Sequence, residues 1–260
     1  EGMAPPRRIL FPPEEICVDW QQRRSAGAGL NNLGNTCFLK SVLQCLTRTP
    51  ALANDLLSRE HSRSCGRQGF CVMCVTEAHV NEVLRSSAGA VQPGAVISVL
   101  TREQFRLGTQ EDAPEFLRHA VDAMQRACLS GSSDLDVSSP ATTIVHQVFG
   151  GFPRSRGTFP RPCEAVSDSD EAFLDVPLDI KVRGVIAVLQ TPQGPSSSVS
   201  AALQDFARPE QPDGENCFKC SKCDKMAAAS KRFTVHRAPK DLRACPERFG
   251  GCTGTKIAKM

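Results

Sequence analysis

The sequence predicts an α+β chain, helical in its first half and β-rich in its second, and three observations carry that expectation. Apolar residues recur at helical spacing twice before residue 130, first in Leu39, Val42, Leu43 and Leu46 and again between Asp112 and Leu129. After Ser130 that period stops, and β-type runs separated by Gly, Pro and Ser replace it, as in 173–182 and 191–200. With 260 residues, 40% of them apolar and 23% charged, the chain can bury the core of one or two domains, which excludes a disordered polymer.

Taken in order, residues 1–27 are rich in Pro and Arg around Ile9, Leu10, Phe11, Ile16, Val18 and Trp20, an extended arm that docks but does not fold alone. The body runs over 28–260, with a helical part at 28–135 and a β-rich part at 136–260. A short turn of Gly34, Asn35 and Thr36 delivers Cys37 onto the first turn of the first helix, whose stripe ends before Pro50. Asp112 is placed as the N-cap of the second long helix, with Pro114 in the first turn, where the missing N–H is tolerated. Phe116, Ala120 and Met124 then share one line, with Leu117, Val121 and Cys128 beside it. Residues 143–149 and 173–182 read as strands, and Pro177 marks an edge or a bulge. No internal repeat is visible.

Charge and composition exclude several function classes. The 31 basic and 28 acidic residues leave a net charge of +3 with no basic cluster, so the chain lacks the footprint of a nucleic-acid binder. The apolar runs fall far short of the ~20 residues a membrane-spanning helix needs. Thirteen cysteines, an odd number, follow a start (EGMAPPRRILFPPEE) without a signal-peptide pattern. They read as reduced thiols, metal ligands or a nucleophile in an intracellular protein of the cytoplasm or nucleus. A first residue that is Glu1 and a last segment GTKIAKM suggest that both ends are fragment boundaries.

Three groups of residues carry chemistry. Cys37 sits where unpaired N–H groups and the helix dipole favour a thiolate, the form that attacks a carbonyl. Asn32 and Asn35 lie upstream as amide donors for the resulting oxyanion. The alternative is that Cys37 is a small buried residue. His61-x3-Cys65-x5-Cys71-x2-Cys74 places four zinc-type ligands within fourteen residues, against a reading as core thiols and a loop histidine. Cys220-x2-Cys223, with Cys163 upstream, resembles a paired CxxC zinc ribbon, a resemblance that implies a second CxxC whose first position is here Pro160, and Cys217, three before Cys220, is the one substitute.

The strings GLNNLGNTCF and SVLQCL, QEDAPEFLRHAVDAMQRACL, ATTIVHQVFGG, PDGENCFKCSKC and ASKRFTVHR together resemble the ubiquitin-specific proteases, papain-like thiol isopeptidases that remove ubiquitin from proteins. The resemblance implies a helical thumb at 28–135, with β-rich fingers and an incomplete palm at 136–260. It makes Cys37 the nucleophile, Asn32 the oxyanion donor, and Gln110 and Asp112 a grip on the extended tail of ubiquitin, although Asp112 also reads as a helix cap. It implies structural zinc at His61, Cys65, Cys71 and Cys74 and at Cys163, Cys220 and Cys223. Its partners would be ubiquitin and ubiquitinated proteins, bound by a monomer, without nucleic acid or membrane.

The chain also departs from that pattern. The general-base histidine of the family lies in a glycine- and tyrosine-rich box, whereas this chain has no tyrosine, and none of His61, His79, His119, His146 and His236 has that context. Lys40 and Pro114 replace usual residues near the nucleophile and in QEDAPEF, residues 183–195 look inserted, and Arg243, Pro246 and Glu247 interrupt an apolar strand. The expectation is a deubiquitinase homologue without turnover as this chain. The alternative is a catalytically dead ubiquitin-binding or zinc-binding interaction module.

Overall fold

The stripe Leu39, Val42, Leu43 and Leu46 is the buried face of a helix, α1, which spans Cys37–Thr47 in a computed structural model. The structure describes residues 5–67, 69–86, 89–100, 105–106, 108–131, 135–158, 166–170, 176–179, 199–209, 218–220, 222–223, 226–227, 230–242, 244–247, 249–250 and 255–256. They fall into two units, Glu1–Gly150 and Gly151–Met260.

In the first unit α1 is followed by α2 (Pro50–Ser58), which opens on the proline that stops α1, because a proline at the first helical position has no N–H to leave unpaired. Arg59 adopts a left-handed φ of 59° and turns the chain into α3 (Glu60–Ser64). Its Nε donates to Asn81 Oδ1 on α4 (Val72–Arg85), and the buried Asn81 amide in turn donates to Leu56 O and Glu77 O. This polar junction ties α2, α3 and α4 together where backbone groups would otherwise be left unpaired. A short parallel pair, β1 (Gly29–Leu30) with β2 (Ala90–Val91), precedes α5 (Gly94–Leu100) and α6 (Ala113–Leu129). On α6, Phe116, Ala120, Val121 and Met124 are buried, as the stripe requires, while Leu117 and Cys128 are half-buried at its margin.

The arm packs onto the same unit. Phe11 N donates to Thr142 O at 3.0 Å, Leu10 N to Thr142 Oγ1 at 2.9 Å, and Gln147 Nε2 to Phe11 O at 2.8 Å. Asn54 Nδ2 holds the carbonyls of Cys17 and Asp19.

Residues 143–149 correct the sequence reading: they are a helix, α7 (Ile144–Phe149), and not a strand. The β-branched, apolar run has strand propensity, but Thr143 Oγ1 caps the helix by accepting from His146 N at 3.1 Å. Ile144, Val145, Val148 and Phe149 are all buried, so tertiary packing decides against propensity.

In the second unit β3 (Phe152–Thr158) lies between β4 (Val166–Asp170) and β8 (Ser230–Arg237), antiparallel to both. The β5 strand (Val176–Asp179) pairs in parallel with β9 (Ala244–Glu247), and each has only that neighbour among the described residues. Both prolines of concern, Pro177 and Pro246, fall in this two-stranded pair, where a missing ladder donor can face outward, as expected of an edge. The remaining elements are α8 (Val199–Phe206), β6 (Phe218–Lys219) with β7 (Met226–Ala227), and β10 (Phe249–Gly250) with β11 (Thr255–Lys256). Phe206 of α8 stacks on Phe233 of β8 with ring centroids 5.8 Å apart. Residues 183–195 lie outside the described residues, as does the rest of the expected strand at 173–175 and 180–182.

Candidate active site and metal centre

Cys37 is the first residue of α1, and its side chain is exposed. The turn that delivers it has two consecutive residues with positive φ, Gly34 at 94° and Asn35 at 51°. Glycine meets the first without steric cost, and asparagine is among the few other residues that accept the second. Asn32 locks this turn: its Oδ1 accepts from Gly34 N at 3.2 Å, Thr36 N at 3.3 Å and Thr36 Oγ1 at 3.0 Å. Thr36 Oγ1 in turn accepts from Leu33 N. Three donors on one oxygen fix the plane of the Asn32 amide and leave its NH2 as the free donor end.

The two asparagines therefore have different roles. Asn35 was a second amide donor in the sequence reading, but its Nδ2 is committed to Gly108 O at 2.7 Å. That bond ties the turn before Cys37 to the loop before α6, the segment that carries Gln110 and Asp112. Gln110 is exposed in this loop. Asp112 caps α6 through a 2.8 Å bond from Glu115 N, which confirms the capping role and leaves its outer oxygen exposed. Underneath, Phe38 of α1 meets Phe116 of α6 edge-on at 5.9 Å and Phe105 at 6.2 Å, so an aromatic cluster sets the spacing of the two helix starts. Sequence reasoning missed Asn35 as a tether and Thr36 as the hydrogen-bonding centre of the turn. The left-handed demand at a non-glycine position before a helix was the available signal.

The five histidines occupy five different elements. His61 belongs to the thiol cluster described below. His79 is only 5% exposed on α4, its Nε2 has no partner, and burial pushes its pKa down to about 4. His119 on α6 packs against the Phe105 ring at 5.5 Å. His146 lies within α7 and His236 within β8.

His61, Cys65, Cys71 and Cys74 do converge. Their ligand atoms lie within 4.8 Å of one another, and His61 Nε2 is 3.1 Å from Cys71 Sγ. A tetrahedral zinc with such ligands would separate them by about 3.5–3.8 Å, so the set fits a single ion with small adjustments. The sequence explains the convergence, because α3 presents His61 and ends at Cys65, while Cys71 caps α4 and Cys74 sits in its first turn. The Arg67 backbone N–H holds the Cys65 thiol below its usual pKa. Burial, followed by hydrogen bonding to Cys65 and Cys71, pushes Cys74 up to about 12. Burial lowers His61, with Glu77 opposing, and so favours the neutral imidazole that ligates metal. Crowded thiols that resist joint ionisation are the arrangement a dication resolves.

The second set is described only in part. Cys220 is fully buried and Cys223 half-buried, while Cys163 and Cys217 lie outside the described residues. Among the described residues, the His61 cluster is the one group of three or more metal-type ligands. Nor is any helix among them long and apolar enough to cross a membrane.

A family model described as ubiquitin carboxyl-terminal hydrolase matches residues 28–257. Human ubiquitin carboxyl-terminal hydrolase 42 is 50% identical over 261 residues, covering 100% of this chain and 19% of its own length. Human ubiquitin carboxyl-terminal hydrolase 17-like protein 6 is 40% identical over 259 residues, covering 100% of this chain and 61% of its own length. The chain thus spans between about one fifth and three fifths of these relatives. Among solved structures, the SAGA Ubp8/Sgf11/Sus1/Sgf73 DUB module bound to ubiquitin aldehyde matches with a TM-score of 0.69 and 24% identity, over 95% of this chain and 53% of the other. A second structure of that module, bound to monoubiquitin, matches with a TM-score of 0.71 and 23% identity over 99% and 53%. These two likenesses establish the fold.

Proposed function

We propose that this chain, which belongs to the ubiquitin carboxyl-terminal hydrolase family and has the α+β fold of its ubiquitin-specific proteases, is the nucleophile-bearing part of a thiol isopeptidase. The observation that carries the reading is the exposed Cys37 at the start of α1, on a turn locked by Asn32 and tethered by Asn35 to the Gln110–Asp112 loop.

In this reading Cys37 attacks the carbonyl after the C-terminal glycine of ubiquitin. The free NH2 of Asn32 donates to the oxyanion that forms, an interaction that grows as charge develops. Gln110 and the exposed edge of Asp112 hold the extended tail in front of the thiol. The substrates are ubiquitinated proteins, and the chain acts as a monomer in the cytoplasm or nucleus, consistent with nine free cysteines among the described residues. Zinc at His61, Cys65, Cys71 and Cys74 clamps α3 to α4 and has no part in the chemistry. Cys163, Cys220 and Cys223 hold a second structural zinc.

The chain as it stands does not turn over. Proton transfer needs a histidine within hydrogen-bond reach of the reacting groups. Its histidines are bound up in the thiol cluster, buried without a partner, packed on an aromatic ring, or set within α7 and β8.

The test is exposure of the chain to ubiquitin carrying a thiol-reactive C-terminus, with Cys37→Ala as control. We expect a mass shift of one ubiquitin at Cys37, without release of fluorophore from a ubiquitin–fluorophore substrate. A folded chain that is not labelled removes the isopeptidase reading, and turnover lost on Cys37→Ser removes the claim of inactivity.

A further inference from the structure

A cavity of about 300 Å³ opens in the first unit, lined by Trp20, Arg23, Arg24, Ser25, Arg48 and Leu84. Its position is distinct from the nucleophile turn, because Arg48 caps the C-terminal end of α1 and Cys37 begins it, which separates them by on the order of 16 Å along the helix. Three of the six lining residues are arginines, and none is an acid.

Arginines that converge normally share carboxylates. Here, among the described residues, no carboxylate pairs with Arg23, Arg24 or Arg48; Arg24 makes one 3.4 Å contact, to the neutral Gln22 Oε1. Arg48 is the more telling residue, since its Nε is buried and has no hydrogen-bond partner. A buried, charged N–H without an acceptor is costly, and native proteins leave few of them. Leu84 supplies an apolar wall that excludes water from one side, and the Trp20 indole and the Ser25 hydroxyl add a neutral N–H and O–H.

We propose that this cavity binds a phosphoryl group. A single carboxylate neutralises one guanidinium, whereas three arginines lining one small cavity match a compact dianion whose oxygens point in several directions. The planar fork of each arginine then engages a different pair of oxygens, and Arg48 turns its buried Nε toward the anion to gain the acceptor it lacks. Free phosphate supplies this chemistry, and so does a phosphoryl ester on Ser25, which is exposed, follows Arg23-Arg24 directly and lines the cavity itself. In the second case a protein kinase transfers the γ-phosphoryl group of ATP. The Ser25 Oγ–P bond forms, the bridging bond to the β-phosphate breaks, the hydroxyl proton passes to the kinase base and ADP leaves. Either source pins the arm to the end of the helix whose other end carries Cys37.

The molecule provides its own probe, because Trp20 is the single tryptophan and the chain has no tyrosine. Tryptophan emission is followed while inorganic phosphate is added to the full chain, against chloride at matched ionic strength. We expect a saturable change with phosphate alone, weakened at least tenfold by Arg48→Gln and also by Arg24→Gln. The latter lies on the exposed arm and tests the site without altering the helix end that Arg48→Gln changes. The chain carrying phosphoserine at position 25 is then titrated in the same way. Loss of the phosphate response together with a higher melting temperature assigns the site to the Ser25 ester, and an unchanged response assigns it to free phosphate. A non-saturable response equal to that of chloride, with no melting-temperature gain in the phosphoserine chain, overturns the proposal.

Discussion

Asp55 shows how a single residue of the helical unit carries a measurable electrostatic cost. Burial raises its carboxyl from 3.8 to about 6, with repulsion from Glu60, Glu77 and Glu15 adding to the shift. A folded-state pKa above the unfolded one means that the folded chain holds an extra proton between those two values. Stability therefore falls as pH rises through this window, and the penalty is complete above about 6. A shift of this size corresponds to roughly 2–3 kcal/mol. Replacing the ionisable group should recover most of it: Asp55→Asn is expected to be more stable than the parent by about that amount at pH 7, with the gain gone at pH 4. Urea denaturation of both chains at pH 4, 5 and 7 checks this. The difference between the two chains also cancels the opposing contribution of His79, whose lowered pKa costs stability as pH falls toward 4. A gain that is the same at every pH would show that the variant acts through packing and not through charge.

Elements differ in how openly the sequence announces them, and α1 and α7 mark the two extremes. A stripe of four apolar residues over eleven, ended by a proline, leaves little alternative to a helix, and α1 is found there. The run Ile144–Phe149 is too short for a period and is rich in β-branched and aromatic side chains, so local propensity points to a strand. What makes it helical is its surroundings, namely the Thr143 cap, four buried side chains and a closing turn at Gly150, where the residue 150 N–H donates to His146 O at 2.7 Å. That closing turn is tight enough to test. A Cβ added at Gly150 would lie 2.5 Å from His146 O and 2.6 Å from its ring, closer than real contacts allow. Gly150→Ala should therefore destabilise the first unit by about 1–3 kcal/mol, as backbone must move to admit the methyl group. Gly94→Ala is the control, since nothing lies within 4 Å of its Cβ position and it opens α5, and it is expected to be neutral or slightly stabilising. Equal effects in the two variants would mean that the end of α7 relaxes freely and that packing alone maintains the helix.

Across the whole molecule, legibility followed the distance in sequence between cooperating residues. Cys37 and Asn32 are five residues apart, so their relation was open to motif reasoning. The tether from Asn35 to Gly108 spans 73 residues and was not, because nothing local to either residue specifies the other. The candidate metal ligands divide in the same way. His61, Cys65, Cys71 and Cys74 sit on two consecutive helices, and their spacing alone was enough to predict the cluster that the structure assembles. Cys220 and Cys223 need a ligand from far upstream, and Cys163, the candidate, lies outside the described residues. Metal stoichiometry separates the two sets without reference to activity. If both bind, the purified chain carries about two zinc ions, and Cys74→Ser and Cys220→Ser each remove one. The first substitution should also lower the melting temperature, because the clamp between α3 and α4 is lost and Cys65 and Cys71 are left to share a site built for a dication. Chelation should reproduce that loss in the parent chain and have little further effect in Cys74→Ser. About one ion per chain, unaffected by Cys220→Ser, would limit zinc to the helical unit. Full occupancy retained in Cys74→Ser would show that the convergence of these four side chains is core packing and not a metal centre.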